Sequence, residues 1–386
     1  MTANRPHPMM PDANHDELAE QKFVLALKIY AFAHLDPLLG EETRAVARKL
    51  EQDGKPAPFR EVRRELASKP VYQNWLSTMR TGQEMMWQAA ADCVDRQATD
   101  LEERAQQAPA LGSLRIDPDF ETPAYLAAAD THMQPGGYDA NEGDADVRQG
   151  AIYDKAAWLY SLGRQGGELA DMRGHVVVQH IMERFPGFAP KRILDMGCTV
   201  GCSTVAVASY YPDAEFHGID IGASVLRYAH ARAAHLGAAV HFSQQSAEQT
   251  DFDDNSFDLV YSCAVLHETS NQAVKKIFRE CHRILRPGGL MVHLEVPVRA
   301  EEAEEADVVA EVRGDYEARY NNEPFWKGIA SYDVAGLARD VGFDEVAADF
   351  QNAVNEATPD AEPGFRQPNK GAYRSWYIVS GRKQGG

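Results

Sequence analysis

An acidic residue and two glycines form a compact pattern in the second half of the chain. In residues 193–204 (ILDMGCTVGCST), Asp195 ends an apolar run, and Gly197 and Gly201 shape the turn that follows. Glycine accepts positive φ and lets a ligand approach the backbone closely. Asp220 ends a second apolar run, 25 residues after Asp195. A carboxylate at that place suits the two hydroxyls of a ribose, so the pattern indicates an adenosyl ligand.

Short apolar runs alternate with helical patterns around these residues. The runs are RILDM, EFHGID, AVHFSQ, FDLVYS and GLMVHLEV. This alternation predicts βαβ units and a parallel sheet, in which ligands bind at the carboxyl ends of the strands. The last two runs, DEVAADF and SWYIVSGRK, can pair as an antiparallel hairpin. The chain is therefore predicted to contain an α/β sheet whose strand ends carry the site.

Four blocks resemble, in order and spacing, the core of class I S-adenosylmethionine (SAM)-dependent methyltransferases, in particular the ubiquinone/menaquinone C-methyltransferase branch. They are ILDMGCTVG, FHGIDIGASVLRYA, FDDNSFDLVYS and HRILRPGG, within about residues 192–297. The resemblance implies a Rossmann-like seven-stranded sheet with a terminal antiparallel hairpin. It also implies SAM as cofactor and in-line methyl transfer to a small molecule, such as a specialised metabolite, with S-adenosylhomocysteine as product.

The resemblance implies a set of cofactor-binding residues. They are Tyr153, Tyr160, Asp195, Gly197, Cys198, Thr199, Gly201, Asp220, Ile221, Ser246, Ala247, Glu248, Ser262 and Cys263. Two of them depart from the family pattern, which usually has glycine at position 199 and aspartate at position 246. Thr199 is acceptable there if its φ stays negative, because only positive φ penalises a β-branched residue. Ser246 can still form a hydrogen bond to adenine, but without charge.

His267 and Glu268 follow the fourth strand of the resembling core, where residues of this fold tend to face the methyl group. A histidine can act as a base near neutral pH, and a carboxylate can orient it or bind a cationic substrate. A structural role for His267 behind the cofactor is the alternative. We predict His267 and Glu268 as catalytic residues.

Five further residues are predicted to bind the substrate. They are His132, Tyr138, Glu295, Asn322 and Trp326. His132 and Tyr138 lie in a turn-rich connector, Glu295 ends a strand, and the other two lie in an aromatic insertion at about residues 298–330 that is a candidate lid. The alternative for the aromatic residues of the insertion is that they anchor it to the core. The alternative for the connector is that it is a purely structural loop.

The composition divides the chain into parts. Residues 1–16 are polar and predicted to be a disordered tail, and residues 17–107 show helical periodicity. The Pro-, Gly- and Asp-rich residues 108–150 are predicted to be a connector and possible substrate loop, and residues 151–386 the methyltransferase domain. Within residues 299–320, an acidic helix is expected to present its charges to solvent. The helical part is a candidate surface for a homodimer.

The charge balance disfavours one class of partner. With 39 Lys and Arg against 58 Asp and Glu, the net charge is −19, whereas proteins that bind nucleic acid need basic residues. We expect a cytoplasmic protein without a membrane span, because apolar runs look too short to cross a bilayer. The five cysteines lack the pattern of a metal site or a disulfide framework, so we expect no metal site.

Two other functions are compatible with parts of the pattern. Thr199 and Ser246 leave open a non-catalytic SAM-binding or scaffold protein in which the helical part recruits a partner. A dinucleotide-dependent oxidoreductase shares the glycine turn, but the terminal hairpin disfavours it.

Overall fold

The computed structural model describes residues 6–162, 166–296, 308–330, 332–354 and 375–385. An eight-stranded sheet lies at its centre, with the strand order β1-β4-β3-β2-β5-β6-β8-β7. The strands are β1 (Ser113–Arg115), β2 (Arg192–Met196), β3 (Glu215–Asp220), β4 (Val240–Gln244), β5 (Phe257–Cys263), β6 (Leu285–Glu295), β7 (Phe343–Asn352) and β8 (Ser375–Lys383). Strand β8 is antiparallel to β6 and β7, and the other pairs are parallel. The α/β class and the terminal hairpin are confirmed.

The expectation of seven strands is corrected by β1. Three residues of the predicted connector pair in parallel with β4, so that Ser113 faces His241 and Arg115 faces Ser243. This pairing adds an edge strand and ties the connector to the sheet.

Helices cover both faces of the sheet. Three pack on one face: α8 (Met172–Arg184), α9 (Cys202–Tyr210) and α10 (Ala223–His235). Two pack on the other: α11 (Asn271–Ile284) and α14 (Val334–Val341). Each face of the sheet buries an apolar core. Because strands β1 to β6 are parallel, their carboxyl ends lie at the same edge of the sheet.

The amino-terminal part is helical, as predicted. Its helices are α1 (His15–Tyr30), α2 (Asp36–Gln52), α3 (Phe59–Leu66), α4 (Pro70–Asp95) and α5 (Ala98–Gln106). The remaining helices are α6 (Ala124–Ala127), α7 (Arg148–Tyr160), α12 (Val308–Tyr320) and α13 (Trp326–Ala330). Met86 and Trp87 of α4 share a core with α7 and α10, whereas Trp75 of α4 packs against Tyr316 of α12. The helical part thus shares its core with the sheet domain.

Residues 6–14, expected to belong to a disordered tail, are packed in the structure. Met9 is fully buried, and His7 lies 3.0 Å from Asp154 of α7. Tyr228 of α10 donates to the Met9 carbonyl at 3.0 Å and to Asp154 at 2.8 Å. Polar composition suggested disorder, but these few residues fill a gap between two helices.

One helical stretch is long and apolar enough to cross a bilayer by length and composition. It runs through His15–Gln52, joining α1 and α2 by a π-helical turn at Ala31–Leu35. The expectation that apolar runs are too short is therefore wrong for this stretch. A single such helix is weak evidence of a membrane span, since helices of soluble proteins meet the same criterion.

Candidate active site

The turn after β2 has the backbone that a closely approaching ligand needs. Gly197 and Gly201 have φ of 72° and 75°, and a Cβ on Gly197 would lie 2.6 Å from a methyl carbon of Val265. The turn therefore excludes a side chain at position 197. Thr199 has φ of 45°, so the condition of a negative φ is not met. The chain holds a β-branched residue in the left-handed region here, which costs about 1–3 kcal/mol.

Asp220 at the end of β3 holds this turn in place. Its two carboxylate oxygens accept hydrogen bonds from the Thr199 amide at 2.9 Å and the Gly222 amide at 3.0 Å. Burial raises the pKa of Asp220 above its usual value, while the backbone bonds oppose that change. Each oxygen has a second lone pair. The side chain can therefore still accept hydrogen bonds from ligand hydroxyls.

Asp195 at the end of β2 is almost fully buried. Thr204 donates to its Oδ2 at 2.7 Å. Burial raises the pKa of Asp195 to about 7, although the Thr204 hydrogen bond and the positive charge of Arg173 oppose this change. A cation placed beside the carboxyl would stabilise its charged form. The group is therefore suited to hold a positively charged part of a ligand.

Arg173 of α8 is a candidate site residue that sequence reasoning missed. Its Nη2 donates to the Tyr153 hydroxyl at 3.4 Å, and its buried Nε has no hydrogen-bond partner among the described residues. A partly buried guanidinium with an unused donor can bind a carboxylate or another anion. In the sequence, Arg173 looked like any other polar residue of an amphipathic helix, so no signal distinguished it.

A second group of polar side chains lies beyond the ends of β5 and β6. We call it the His–Glu cluster, and its members come from the connector, the turn after β5, the end of β6, α12 and the loop after α12. They are His132, His267, Glu268, Glu295, Glu317 and Glu323. The connector and the insertion therefore meet at the end of the sheet.

Glu295 holds His267 in place. Its Oε2 lies 2.6 Å from His267 Nδ1, and its Oε1 accepts from the amides of Val265 and Leu266 at 2.9 and 2.6 Å. With both oxygens engaged and 1% of the residue exposed, Glu295 supports His267 and the turn after β5. Its predicted contact with the substrate stays a prediction.

His267 directs its other ring nitrogen into the cluster. Nε2 lies 3.9 Å from Glu268 Oε1 and 3.8 Å from Glu323 Oε2. The edge of the ring meets Trp326, with 5.3 Å between the ring centroids. Burial lowers the pKa of the His267 imidazole, but the charge and hydrogen bond of Glu295 outweigh burial and raise it overall. The structure thus brings His267, Glu268 and Trp326 together.

His132 faces the cluster from the opposite side. Its Nε2 lies 3.0 Å from Glu268 Oε1, and its Nδ1 lies 2.8 Å from Glu323 Oε1. The residue has φ of 58°, and its carbonyl accepts hydrogen bonds from Trp87 at 2.7 Å and Gln83 at 3.2 Å. Burial lowers the pKa of His132, but the two carboxylates outweigh burial and raise it well above its usual value. Helix α4 therefore fixes the backbone of a site residue.

The insertion supplies a different asparagine from the predicted one. Asn321 donates to Glu317 at 2.8 Å and to Glu323 at 2.6 Å. Asn322, predicted to bind substrate, instead donates to the Asp130 carbonyl at 3.2 Å and has φ of 55°. Burial, followed by the charge of Glu323, raises the pKa of Glu317. The expectation of a fully solvated acidic helix is therefore wrong for this residue of α12.

Comparison with known proteins identifies the sheet. Residues 193–289 match a family model described as a methyltransferase domain. The chain contains a class I SAM-dependent methyltransferase domain. The matched residues run from the start of β2 to the middle of β6 and include both Asp195 and Asp220.

Named relatives share this methyltransferase domain. The chain is 31% identical over 195 residues to 24-methylenesterol C-methyltransferase 2 of Arabidopsis thaliana, covering 48% of this chain and 49% of that one. It is 35% identical over 104 residues to a ubiquinone biosynthesis O-methyltransferase of Pseudomonas aeruginosa, covering 27% of this chain and 43% of the relative. The chain thus spans about half or less of these relatives. Phosphoethanolamine N-methyltransferase 2 of Haemonchus contortus, solved with SAM, superposes with a TM-score of 0.38 at 18% identity, covering 54% of this chain and 52% of that one.

The methyltransferase domain has groups that fit the parts of SAM. The turn at Gly197 and Gly201 has the positive φ of a glycine turn and packs closely against Val265. Asp195 suits the ammonium of the methionine portion, and the unused Arg173 Nε suits its carboxylate. Asp220 suits the ribose hydroxyls. SAM supplies an activated methyl group on a sulfonium.

The predicted adenine-side residues are held by neighbours that the sequence did not reveal. Ser246 Oγ accepts from the Glu248 amide at 3.2 Å. Glu248 accepts from the Tyr125 hydroxyl at 2.9 Å and pairs with Lys276 at 2.8 Å. Ala247 packs against the core on the α11 side. These contacts make Glu248 a link between the connector and the domain, rather than a free acceptor for adenine.

Two predicted cofactor residues near β5 face opposite ways. Ser262 is fully buried and lies 2.7 Å from Nδ1 of His293, which stacks on Phe278 of α11. Cys263 belongs to the core on the other face, the face that carries α8 and α9. Successive strand residues alternate between faces. The two side chains therefore point to opposite faces of the sheet, and the cofactor role of Ser262 stays a prediction.

The remaining predicted residues lie around the same edge. Cys198 is buried in the core beneath the turn, and the Ile221 carbonyl accepts from Gln244 at 2.8 Å, so both can reach a ligand mainly through their backbones. Tyr153 accepts a hydrogen bond from Arg173, whereas the Tyr160 hydroxyl lies 3.2 Å from His132 Nδ1 and so contacts the His–Glu cluster.

The connector and the insertion close over the site together. Tyr138 of the connector donates to Glu268 Oε1 at 3.2 Å. Tyr125 of the connector meets Phe325 of the insertion edge to face, with 5.3 Å between ring centroids. Part of the predicted lid, residues 298–307, lies outside the described residues. The remainder of the predicted lid contacts both the connector and His267.

Proposed function

We propose that the whole chain is an enzyme that transfers the methyl group of SAM to a small molecule, such as a specialised metabolite, bound at the His–Glu cluster. The observation that carries this proposal is the shared position of the two sites. Gly197 of the cofactor turn packs against Val265, and the next residues along the chain hold His267 and Glu268. A methyl group presented by the turn would therefore lie beside polar side chains. The named relatives act on sterol and ubiquinone precursors, which supports a small-molecule acceptor.

The reaction needs alignment more than covalent chemistry. A lone pair of the acceptor attacks the methyl carbon, the carbon–sulfur bond breaks, and its electron pair stays on sulfur to give S-adenosylhomocysteine. The chain contributes orientation and exclusion of water. We propose His267 and Glu268 as the catalytic residues that contact the acceptor, and Glu295 as the positioning residue for His267. His132, Tyr138 and Trp326 would shape the acceptor site.

Cofactor binding tests the proposal directly. In isothermal titration, the purified chain should bind S-adenosylhomocysteine, and Asp220→Asn should weaken binding about 10- to 100-fold, because hydrogen bonds to a charged group are lost. Asp258→Asn is the matched control, since this aspartate bonds the backbone of Lys191 and Arg192 at the start of β2. A folded chain that binds neither SAM nor S-adenosylhomocysteine would overturn the proposal. Formation of S-adenosylhomocysteine with extracts of small molecules separates an enzyme from a SAM-binding scaffold.

We also propose that the chain acts in the cytoplasm as a homodimer formed through its amino-terminal helices, without binding nucleic acid or a membrane. The exposed large apolar residues among the described part of the chain support the dimer, because they all fall on one helical stretch. They are Leu18, Phe23, Ile29, Tyr30, Phe32 and Leu38. Exposed apolar surface is a common feature of interaction sites.

A further inference from the structure

We propose that the His–Glu cluster binds a divalent first-row transition-metal ion through His132, His267 and Glu323. One ligand atom from each of these residues lies within 4.8 Å of the other two. Imidazole and carboxylate together suit ions such as Zn²⁺, Fe²⁺, Mn²⁺ and Co²⁺. The sequence-based expectation of no metal site rested on the cysteines, and none of the three proposed ligands is a cysteine.

His267 is oriented as a metal ligand would be. Its Nδ1 is engaged by Glu295 at 2.6 Å, which leaves Nε2 to face the cluster. Ligating histidines commonly donate their other ring nitrogen to a carboxylate, which fixes the ring and strengthens its donor atom. Two backbone amides hold Glu295 in turn. The outer support that a metal site needs is therefore already formed.

Glu323 provides a buried oxygen without a partner. Its Oε1 is engaged by Asn321 and His132, but its Oε2 has no hydrogen-bond partner within the described part of the chain, and 1% of the residue is exposed. That oxygen lies 3.8 Å from His267 Nε2. Two metal–ligand bonds of about 2.1 Å can span this separation. A cation between the two atoms would satisfy both lone pairs.

His132 completes the set from the connector. Its backbone is fixed by Trp87 and Gln83 in a conformation that non-glycine residues seldom adopt. Its side chain lies between Glu323 and Glu268, at 2.8 and 3.0 Å. The carboxylates of Glu268, Glu295 and Glu323 face the two imidazoles. A divalent cation would offset this excess of negative charge.

The chemical role of the ion rests on the proposed function, although ion binding does not. An acceptor hydroxyl bound to the ion would lose its proton more readily. That proton passes to the Glu268 carboxylate, the oxygen attacks the methyl carbon, and the carbon–sulfur bond breaks to leave S-adenosylhomocysteine. The inference therefore favours an acceptor with an oxygen nucleophile.

Cobalt titration of the full chain tests the inference. Protein stripped with a chelator is titrated with CoCl₂, with and without S-adenosylhomocysteine, while visible absorption reports cobalt held by protein ligands. We expect one ion per chain, loss of the site in Glu323→Gln and in His267→Gln, and about 10- to 100-fold weaker binding in Glu295→Gln. His175→Gln is the matched control, because His175 is outside the cluster and its Nε2 lies 3.4 Å from Asp171 Oδ2. This variant should bind cobalt as the parent does.

The outcomes separate this inference from the proposed function. Every variant is first checked for its melting temperature and its affinity for S-adenosylhomocysteine, so that unfolding is not mistaken for a lost ligand. Normal binding of S-adenosylhomocysteine without cobalt binding overturns the metal site alone, and would favour a cationic acceptor as the occupant. Cobalt binding that survives in a His132→Gln/Glu323→Gln double variant also overturns it, because the ion would then lie elsewhere.

Discussion

At the scale of single residues, Thr199 is the position where the turn conflicts with its side chain. Its φ of 45° is one that glycine adopts without strain. We predict that Thr199→Gly raises the free energy of unfolding by about 1 kcal/mol, since relief of about 1–3 kcal/mol exceeds the entropy that glycine loses on folding. Affinity for S-adenosylhomocysteine should persist, because the amide that bonds Asp220 remains. Urea denaturation and titration calorimetry measure the two quantities.

Thr199→Ala is the control for this prediction. Alanine removes the hydroxyl and the β-branch but keeps a Cβ in the left-handed region, so most of the strain stays. The strain would not come from the backbone at Thr199 if the Thr199→Gly chain were less stable than the parent. The same conclusion would follow if Thr199→Ala stabilised the chain as much as Thr199→Gly.

Residue types and spacing predicted the cofactor turn but not every side-chain direction. Asp195 and Asp220 could be placed because strand ends of an α/β sheet meet at one edge. The spacing did not show that Ser262 and Cys263 point to opposite faces of the sheet, as neighbouring strand residues do. In the insertion, the left-handed backbone at Asn322 sends Asn321 into the cluster. Such a local turn leaves no periodic signal in the sequence.

At the scale of elements, helix α8 buries a histidine against strand β8. His180 Nε2 lies 2.9 Å from Ser380 Oγ, and burial lowers the pKa of His180 to about 4. In the unfolded chain this group takes up a proton below about pH 6.5, while in the folded chain it stays neutral until about pH 4. Its contribution to stability is therefore present above pH 6.5 and is lost progressively as the pH falls towards 4.

We predict that His180→Gln makes unfolding less sensitive to acid. The variant should be less stable than the parent at pH 7.5, and the difference should shrink by up to about 1.4 kcal/mol per pH unit between pH 6.5 and 4. Urea denaturation across this range measures it. His15→Gln is the control, because it removes an exposed histidine on α1 and leaves the contact between α8 and β8 intact. If the free energies of unfolding of the parent and of His180→Gln changed with pH in parallel, the acid sensitivity could not be assigned to His180.

The elements themselves were predictable where they were long. Strand β8 and the helices around the sheet followed from apolar periodicity, whereas β1 did not. Three residues between proline- and glycine-rich stretches are too few to show alternation, and β1 forms because β4 offers a free edge. Whether such a short edge strand forms thus depends on its pairing with the neighbouring strand.

At the scale of the whole molecule, the amino-terminal helices support the site. Trp87 of α4 donates to the His132 carbonyl at 2.7 Å. We predict that Trp87→Phe speeds hydrogen exchange of the amides in residues 130–134 about fivefold, because a hydrogen bond of about 1 kcal/mol is lost. Affinity for S-adenosylhomocysteine should not change, since the cofactor turn lies outside this contact.

Trp75→Phe is the matched control on the same helix. The indole nitrogen of Trp75 is buried without a hydrogen-bond partner in the described ranges, so this change removes no bond to the connector. Equal exchange rates in the two variants would show that the helix does not hold His132.

The same helices present the apolar surface that the proposed dimer would cover. On the surface of this stretch, Glu20 is matched by Lys22, and Asp36 pairs with Arg313 at 2.7 Å, so two copies can meet without net repulsion despite the chain's charge of −19. We predict that light scattering gives twice the chain mass of 42.7 kDa.

Replacing two exposed aromatics should separate the copies. Phe23→Ser/Phe32→Ser should give monomers with an unchanged melting temperature, because both side chains are at least 40% exposed and contribute little to the monomer core. Glu41→Ser, an exposed change on α2, should remain dimeric. Co-sedimentation with phosphatidylglycerol vesicles tests whether this apolar surface binds a lipid bilayer instead of a second copy of the chain. A parent chain that is monomeric and sediments with vesicles would contradict the dimer, since the apolar stretch would then bind lipid.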